Sequence, residues 1–295
     1  MTSHQYQVVS VHFSAECDLQ CPFCYRNTQT SRGEKPRQFF LDLVPVLKEI
    51  TPQVALGGGE PLLDTAFVSE FASRCTKHGL MCNFTTNGKR FLEMSDSEIT
   101  QVLRDVTLVS ISYDSFKWGG DTEGFSRLIK RLREIVQVCN LNPPGRKSDV
   151  IFPQIGVNLL VDQSLFDKKG IPFYMLVQWL FKTVGVDRVF TLYPKNQGRL
   201  KIREHRWIYD KLTTLYPQFY VDDLTKLVLE EGYSCWESCC QAGQSILSID
   251  EEGKVYRCSF DSNPVLELTE PSELLKIREI TLPKRFNCPY LREEL

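Results

Sequence analysis

Six short apolar runs, each leading into a helical pattern or a polar loop, constrain this chain more than any other feature. The runs are Tyr6 to Phe13, Val54 to Leu56, Met81 to Thr85, Val106 to Tyr113, Ile155 to Val161 and Arg188 to Leu192. Between them lie amphipathic stretches at Ala66 to His78, Thr122 to Cys139 and Ile171 to Val184. Asp42 is expected to cap a further helix with Pro45 in its first turn, and Ser95-x-x-Glu98 reads as a capping box opening another. Strand and helix thus alternate about six times over roughly 190 residues, which predicts a parallel α/β architecture. Polar residues at the carboxyl ends of several runs favour a barrel over an open doubly wound sheet. No G-x-G-x-x-G follows the first run, so the usual reason to propose a dinucleotide fold is missing.

Past the sixth run, Lys201 to Glu231 reads as one or two connecting helices. Composition then shifts, with Cys235, Cys239, Cys240, Cys258 and Cys288 crowding into the remaining residues. Ser245 to Ile249 and Val255 to Phe260 read as strands joined by Asp250-Glu251-Glu252-Gly253-Lys254, a hairpin turn with glycine at the special position. The expected organisation is a barrel over residues 1–200, a helical connector over 201–232 and a small hairpin-bearing unit over 233–295.

Composition is that of an ordinary globular chain, 42% hydrophobic and 24% charged. A formal net charge of −2 gives no electrostatic reason to expect nucleic acid or an anionic membrane as partner. The longest apolar stretch, Ile171 to Val186, is too short and too polar to span a bilayer. The polar start, Met1 to Gln7, lacks a signal peptide's apolar run, so a cytoplasmic location is the expectation. Eleven cysteines in such a setting point to metal binding or catalysis before disulfides.

Three of those cysteines stand in eight residues directly after the first run: Cys17, Cys21 and Cys24, spaced C-x3-C-x2-C. A loop this short can turn three thiolates to one point, and thiolate is the usual protein ligand of an iron–sulfur cluster. Three thiolates hold three irons of a 4Fe–4S cluster and leave the fourth open to a chelating small molecule. A structural zinc site usually takes four ligands in paired elements, and the chain has no second C-x2-C pair; the nearest histidine, His12, falls in the strand. Downstream, Gly57-Gly58-Gly59-Glu60 follows the second run, where residues without side chains let backbone approach a ligand and Glu60 offers a charge for an ammonium group. A plain strand-to-helix turn with a solvated Glu is the bland alternative.

The cysteine spacing, with Phe23 just before the last cysteine, resembles the signature of the radical S-adenosylmethionine (radical SAM) superfamily, and Gly58-Gly59-Glu60 resembles its GGE motif. The resemblance implies a partial (β/α)6 barrel, a SAM-binding 4Fe–4S cluster on Cys17, Cys21 and Cys24, and the methionine amino group held at the glycine turn. It further implies adenine packing near Phe23 and Tyr25, and cofactor contacts from Ser112 and Asn158. At the other end, Cys240 and Cys258 with Gly253 between them make C-x12-G-x4-C. That spacing resembles the opening of a SPASM or twitch domain, with Cys288 returning as a third ligand. The full SPASM run C-x2-C-x5-C-x3-C is missing, which implies one auxiliary 4Fe–4S cluster in a twitch-like unit of hairpin plus helix. Its fourth ligand is left open between Cys235, Cys239 and an unoccupied iron. Adjacent Cys239 and Cys240 diverge in extended backbone and would not ligate together. Cys75, Cys82 and Cys139 are expected to be buried structural thiols, and an unligated thiol near the barrel mouth is a candidate hydrogen-atom donor.

The implied activity is reductive cleavage of SAM to methionine and a 5′-deoxyadenosyl radical, which takes hydrogen from a substrate in an oxidation, crosslink or epimerisation. An electron donor such as flavodoxin or ferredoxin is implied with it. The substrate is expected to be a small molecule or a short, leader-independent peptide, because the first strand begins by about residue 7 and leaves no room for a leader-binding domain before it. The alternatives are a peptide maturase without its own leader-binding domain and, in a different class, a non-catalytic zinc or iron–sulfur binding protein.

Overall fold

A computed structural model of the chain describes residues 5–24, 26, 33–139, 153–194, 201–229 and 240–282. The six expected strands are present as β1 Val8–His12, β2 Gln53–Gly57, β3 Met81–Thr86, β4 Leu108–Tyr113, β5 Gln154–Leu160 and β6 Arg188–Leu192. Each pairs parallel with the next, joined by crossovers that include helices α1 Arg37–Ile50, α2 Thr65–Lys77, α3 Asp96–Leu103, α4 Ser115–Trp118, α5 Thr122–Val138 and α6 Ile171–Trp179. The helix at α6 runs on as a π segment, Leu180–Val184, until left-handed Gly185 ends it. The sheet stays open, its order ending at different strands on its two sides. The architecture is therefore an α/β partial barrel.

Capping fixes several strand-to-helix turns. Asp64, Asp114 and Asp121 each accept a backbone N–H three residues on. Ser95 and Glu98 complete the expected capping box in both directions. Ser95→Ala should therefore lower stability by about 1 kcal/mol, read as a drop in the denaturation midpoint.

Four expectations need correction. Helix α1 begins at Arg37 after Pro36, not at Asp42, and Pro45 sits inside it. An interior proline loses one backbone bond and crowds the carbonyl four residues back, a cost of about 3 kcal/mol, and Phe40, Leu43, Val44 and Leu47, all fully buried, offset it. The stretch expected to be helical throughout contains α7 Arg206–Leu215, then strand β7 Phe219–Val221, then α8 Asp223–Leu229. β7 pairs parallel with β6, so Arg188 to Leu192 is not the last parallel strand on that side. Finally, Cys139 is exposed where α5 ends, beside Val138, while Cys75 and Cys82 are buried as expected.

The C-terminal hairpin forms as β8 Ile246–Ile249 and β9 Lys254–Tyr256, with the short β10 Leu266–Glu267 beside it. It continues the barrel's own sheet: β8 pairs parallel with β1, Val8 opposite Ile246 through Val11 opposite Ile249. The order across the sheet is β10-β9-β8-β1-β2-β3-β4-β5-β6-β7. Alternate strand residues divide the two faces. Val9, Val11, Val54, Leu56, Val109, Ile111 and Val157 are buried in the apolar core. Ser10, Ala55, Gly57, Thr85 and Asn158 line a central cavity. Small side chains on that inner face leave the barrel hollow.

Candidate functional site

The cavity holds about 570 Å³ and takes its walls from β1 to β6, the cysteine loop, the start of α8 and the C-terminal hairpin. Cys17, Cys21 and Cys24 all line it, each half-buried. A turn closed by Cys24 N–H donating to Cys21 O (3.0 Å) shapes the loop, and Leu19 N–H donates to Cys17 Sγ at 3.4 Å. Asp18 accepts from Asn87 Nδ2 at 2.8 Å, tying the loop to the end of β3. Burial pushes the Cys17 thiol up to about 11, with Asp18, Glu60 and Cys21 adding to the rise, and burial likewise raises Cys21. A bound metal centre would supply the positive charge that favours the thiolate.

The glycine turn lies directly beneath the loop. Gly59 N–H donates to Ser14 O and Glu60 N–H to Glu16 O, both at 2.8 Å. Contact is so close that a Cβ on Gly58 would stand 2.5 Å from Ser14 O, and one on Gly59 1.8 Å from Glu16 O. Gly58 also has φ +145, a conformation that side chains disfavour. Glu60 is buried rather than solvated. Its Oε1 accepts from Leu62 N (3.0 Å) and Thr86 Oγ1 (2.6 Å), and Oε2 accepts from Asn87 N (2.8 Å). Burial raises its pKa despite those three donors, which favour the carboxylate. A carboxylate so held is preorganised toward the cavity it lines.

Further along the sheet, Ser112 and Asn158 are direct partners in the β4–β5 register, and both line the cavity. Asn158 Nδ2 donates to Thr85 Oγ1 at 3.1 Å. Phe23 meets Phe116 edge-on at 6.1 Å, and Lys117 Nζ stands 4.7 Å above its ring. The same lysine pairs with Asp114 Oδ2 at 2.6 Å and hydrogen-bonds Cys21. Tyr25, Cys235, Cys239 and Cys288 lie outside the described residues.

Cys240 and Cys258 line the same cavity from the hairpin side, so five thiols face it in two groups. Burial raises Cys240, with Cys258 and Asp223 adding to the rise. The loop carrying Cys258 is pinned by a buried ion pair, Arg257 Nε to Asp261 Oδ2 at 2.6 Å. Among the described residues, no three His, Cys, Asp or Glu side chains converge on a position for one metal ion. Thiols ranged around a hollow suit a cluster, whose irons are each held by a separate thiolate. The donor set and the side-chain-free cradle therefore fit a 4Fe–4S cluster with SAM beside it. Asp18, Thr86, Asn87, Asp114 and Lys117 are site residues that motif reading did not single out. Their one sequence signal is position, within the cysteine loop, at or just past strand ends or, for Lys117, in the short helix that follows β4.

In sequence, residues 11–141 match the model of the radical SAM superfamily. No curated protein matches the chain. In structure it is similar to Streptococcus suis SuiB bound to S-adenosylmethionine, with TM-score 0.64 and 16% identity over 91% of this chain and 64% of that one. The chain thus spans 64% of SuiB's length; SuiB is also described bound to its precursor peptide SuiA. A second similar structure is native anSMEcpe with bound AdoMet and Cp18Cys peptide (TM-score 0.57, 16% identity, 93% of this chain, 80% of that one). A third is methylornithine synthase, PylB (0.57, 13%, 94% and 82%). At these identities the likeness is one of fold. The cysteine loop, the glycine turn and the strands between them accordingly fall within the stretch, residues 11–141, that matches the radical SAM superfamily.

Proposed function

We propose that this protein reductively cleaves S-adenosylmethionine and abstracts hydrogen from a small-molecule or peptide substrate in the central cavity. The observation that carries the reading is the cavity itself, where three loop thiols stand over a glycine turn that admits no side chain. Cys17, Cys21 and Cys24 would hold the SAM-binding 4Fe–4S cluster. Gly58, Gly59 and the preorganised Glu60 would hold the methionine amino group, while Ser112, Asn158, Phe23 and Tyr25 would contact the rest of the cofactor. When bound, the reduced cluster and SAM supply a radical able to break an unactivated C–H bond. The protein's part is to orient the substrate and keep water out of the barrel.

Residues 233–295 are read as a twitch-like unit in which Cys240, Cys258 and Cys288 hold an auxiliary 4Fe–4S cluster. Support comes from the placement of Cys240 and Cys258 on the same cavity as the loop thiols. A cluster there can take an electron from, or ligate, the substrate. A peptide substrate is supported by the peptide complexes of SuiB and anSMEcpe. A flavodoxin or ferredoxin would donate the electron. No helix among the described residues is long and apolar enough to cross a membrane, in keeping with a cytoplasmic enzyme.

The test is iron and sulfide analysis of anaerobically reconstituted protein, with 5′-deoxyadenosine release under dithionite. About eight irons per chain are expected, four for each cluster. Zinc without iron and sulfide would sink the reading. Cys258→Ala should hold about four irons, still release deoxyadenosine and lose the product. A Cys258 variant with full product would remove the auxiliary role.

A further inference from the structure

Two side chains on the cavity wall carry buried polar atoms with no partner among the described residues. Both ring nitrogens of His12 lack a hydrogen bond, and so does Arg26 Nε. His12 is only 6% exposed and ends β1 on the inner face. Its ring lies against Gly57, its direct partner in β2, where a Cβ would stand 3.2 Å from Nδ1. Arg26 follows the cysteine loop, lines the same cavity and pairs through Nη2 with Glu251 in the turn of the C-terminal hairpin. Burial first, and the Arg26 charge second, hold the imidazole well below its usual pKa. His12 is thus neutral, with one N–H to donate. Buried donors without partners are rare and costly in native proteins, and each calls for a reason such as a catalytic role or a bound water, ion or ligand.

Position separates this pair from the cofactor residues. β1 stands between β2 and β8 in the sheet. His12 therefore lies on the hairpin side of the glycine turn, while Ser112 and Asn158 lie on the far side, on β4 and β5. A group bound at His12 would sit between the loop thiols and the second thiol group, where a substrate has to sit if both act on it.

We propose that His12 and Arg26 form a subsite for a carboxylate of the substrate, Arg26 Nε–H donating to one oxygen and the imidazole N–H to the other. The inference rests on the reading of the cavity as a radical SAM substrate chamber. A guanidinium edge beside a neutral donor matches the planar two-oxygen geometry of a carboxylate, and the charge makes the bond strong. The carboxylate belongs to a free acid, a peptide C-terminus or an acidic side chain, all of which present the same group.

The experiment is a melting measurement on anaerobic, cluster-loaded, SAM-saturated protein at fixed ionic strength. Its probes are glutarate for a free acid, N-acetylglycylglycine for a peptide terminus and N-acetylglutamate α-amide for an acidic side chain. The corresponding uncharged amides are the controls. Ligands that bind only the folded state raise the melting temperature. At least one carboxylate is expected to raise it while its amide does not, and the probe that does so identifies the source. Arg26→Lys keeps the charge but removes Nε, and His12→Phe keeps an aromatic ring but removes both nitrogens. Each should weaken the carboxylate effect roughly tenfold or more, the loss of one hydrogen bond to a charged group. Iron content and the SAM-dependent rise in melting temperature should be unchanged in both. Equal effects of acids and amides on the parent protein would overturn the proposal. So would an Arg26→Lys variant that responds like the parent, or loss of the SAM effect in either variant, which would assign the pair to the cofactor. Deoxyadenosine release by the parent protein is read separately, so failure of the radical SAM reading is distinguishable from failure of the subsite.

Discussion

Cys21→Ala is expected to release no 5′-deoxyadenosine and to lose about four irons per chain, one cluster's worth. Each of the three loop thiolates would hold a different iron, so no neighbour can stand in for the one removed. The fold should not notice. Cys21 is half-buried in a loop, outside the apolar core, and its thiol meets Lys117 on the cavity wall. Substitutions at such positions usually shift stability by no more than about 0.5 kcal/mol. The check is iron and sulfide content with deoxyadenosine release, alongside a thermal melt of the iron-free protein. A variant that keeps iron and cleavage would remove the loop from the chemistry. One that fails to fold would show Cys21 to be structural.

Gly59→Ala should damage both stability and cofactor binding. The new methyl carbon would lie 1.8 Å from Glu16 O and 2.7 Å from Ala15 O, both backbone carbonyls with no rotamer to yield. Either the glycine turn withdraws, pulling the Glu60 carboxylate off Thr86 and Asn87, or residues 14–16 withdraw and carry Cys17 with them. Overpacking of this kind costs about 3 kcal/mol. The expected result is a lower denaturation midpoint and at least a tenfold weaker SAM affinity by calorimetry, on the order of 1.4 kcal/mol. Gly119→Ala is the contrast. Gly119 has φ +54 with nothing within 4 Å of its missing Cβ, so only left-handed strain of roughly 1–2 kcal/mol applies, with SAM affinity retained. Equal SAM affinity in the Gly59 variant would mean that the turn does not hold the cofactor.

How much of the structure is legible in the sequence depends on how local the cause is. The cysteine loop and the glycine turn were legible because their chemistry lies in a few consecutive residues, and six strands were legible as apolar runs. β7 was not, because Phe219–Val221 is three residues long and closes onto β6 only through tertiary pairing. The start of α1 was misplaced because Asp42 looks like a cap, whereas the burial of Phe39 and Phe40 places that segment inside the helix. Cys240 and Cys258 were visible as a spacing. That they face the same hollow as Cys17, Cys21 and Cys24 follows from β8 pairing with β1, a contact between distant segments that no local pattern encodes. His12 and Arg26 were silent for a related reason, since an unpartnered donor is defined only by what surrounds it.

The pairing of β8 with β1 also sets an order of assembly. The partner of β1 on one side emerges roughly 240 residues after β1 itself, so this contact is among the most non-local in the chain and closes slowly. Until it does, the strand leading into the cysteine loop is an edge, with backbone donors and acceptors exposed to any passing strand. Iron–sulfur loading before that moment would meet a loop whose supporting strand is half-paired. Loading afterwards meets a finished wall, and an assembly machinery that waits for the hairpin would protect both the edge and the thiols.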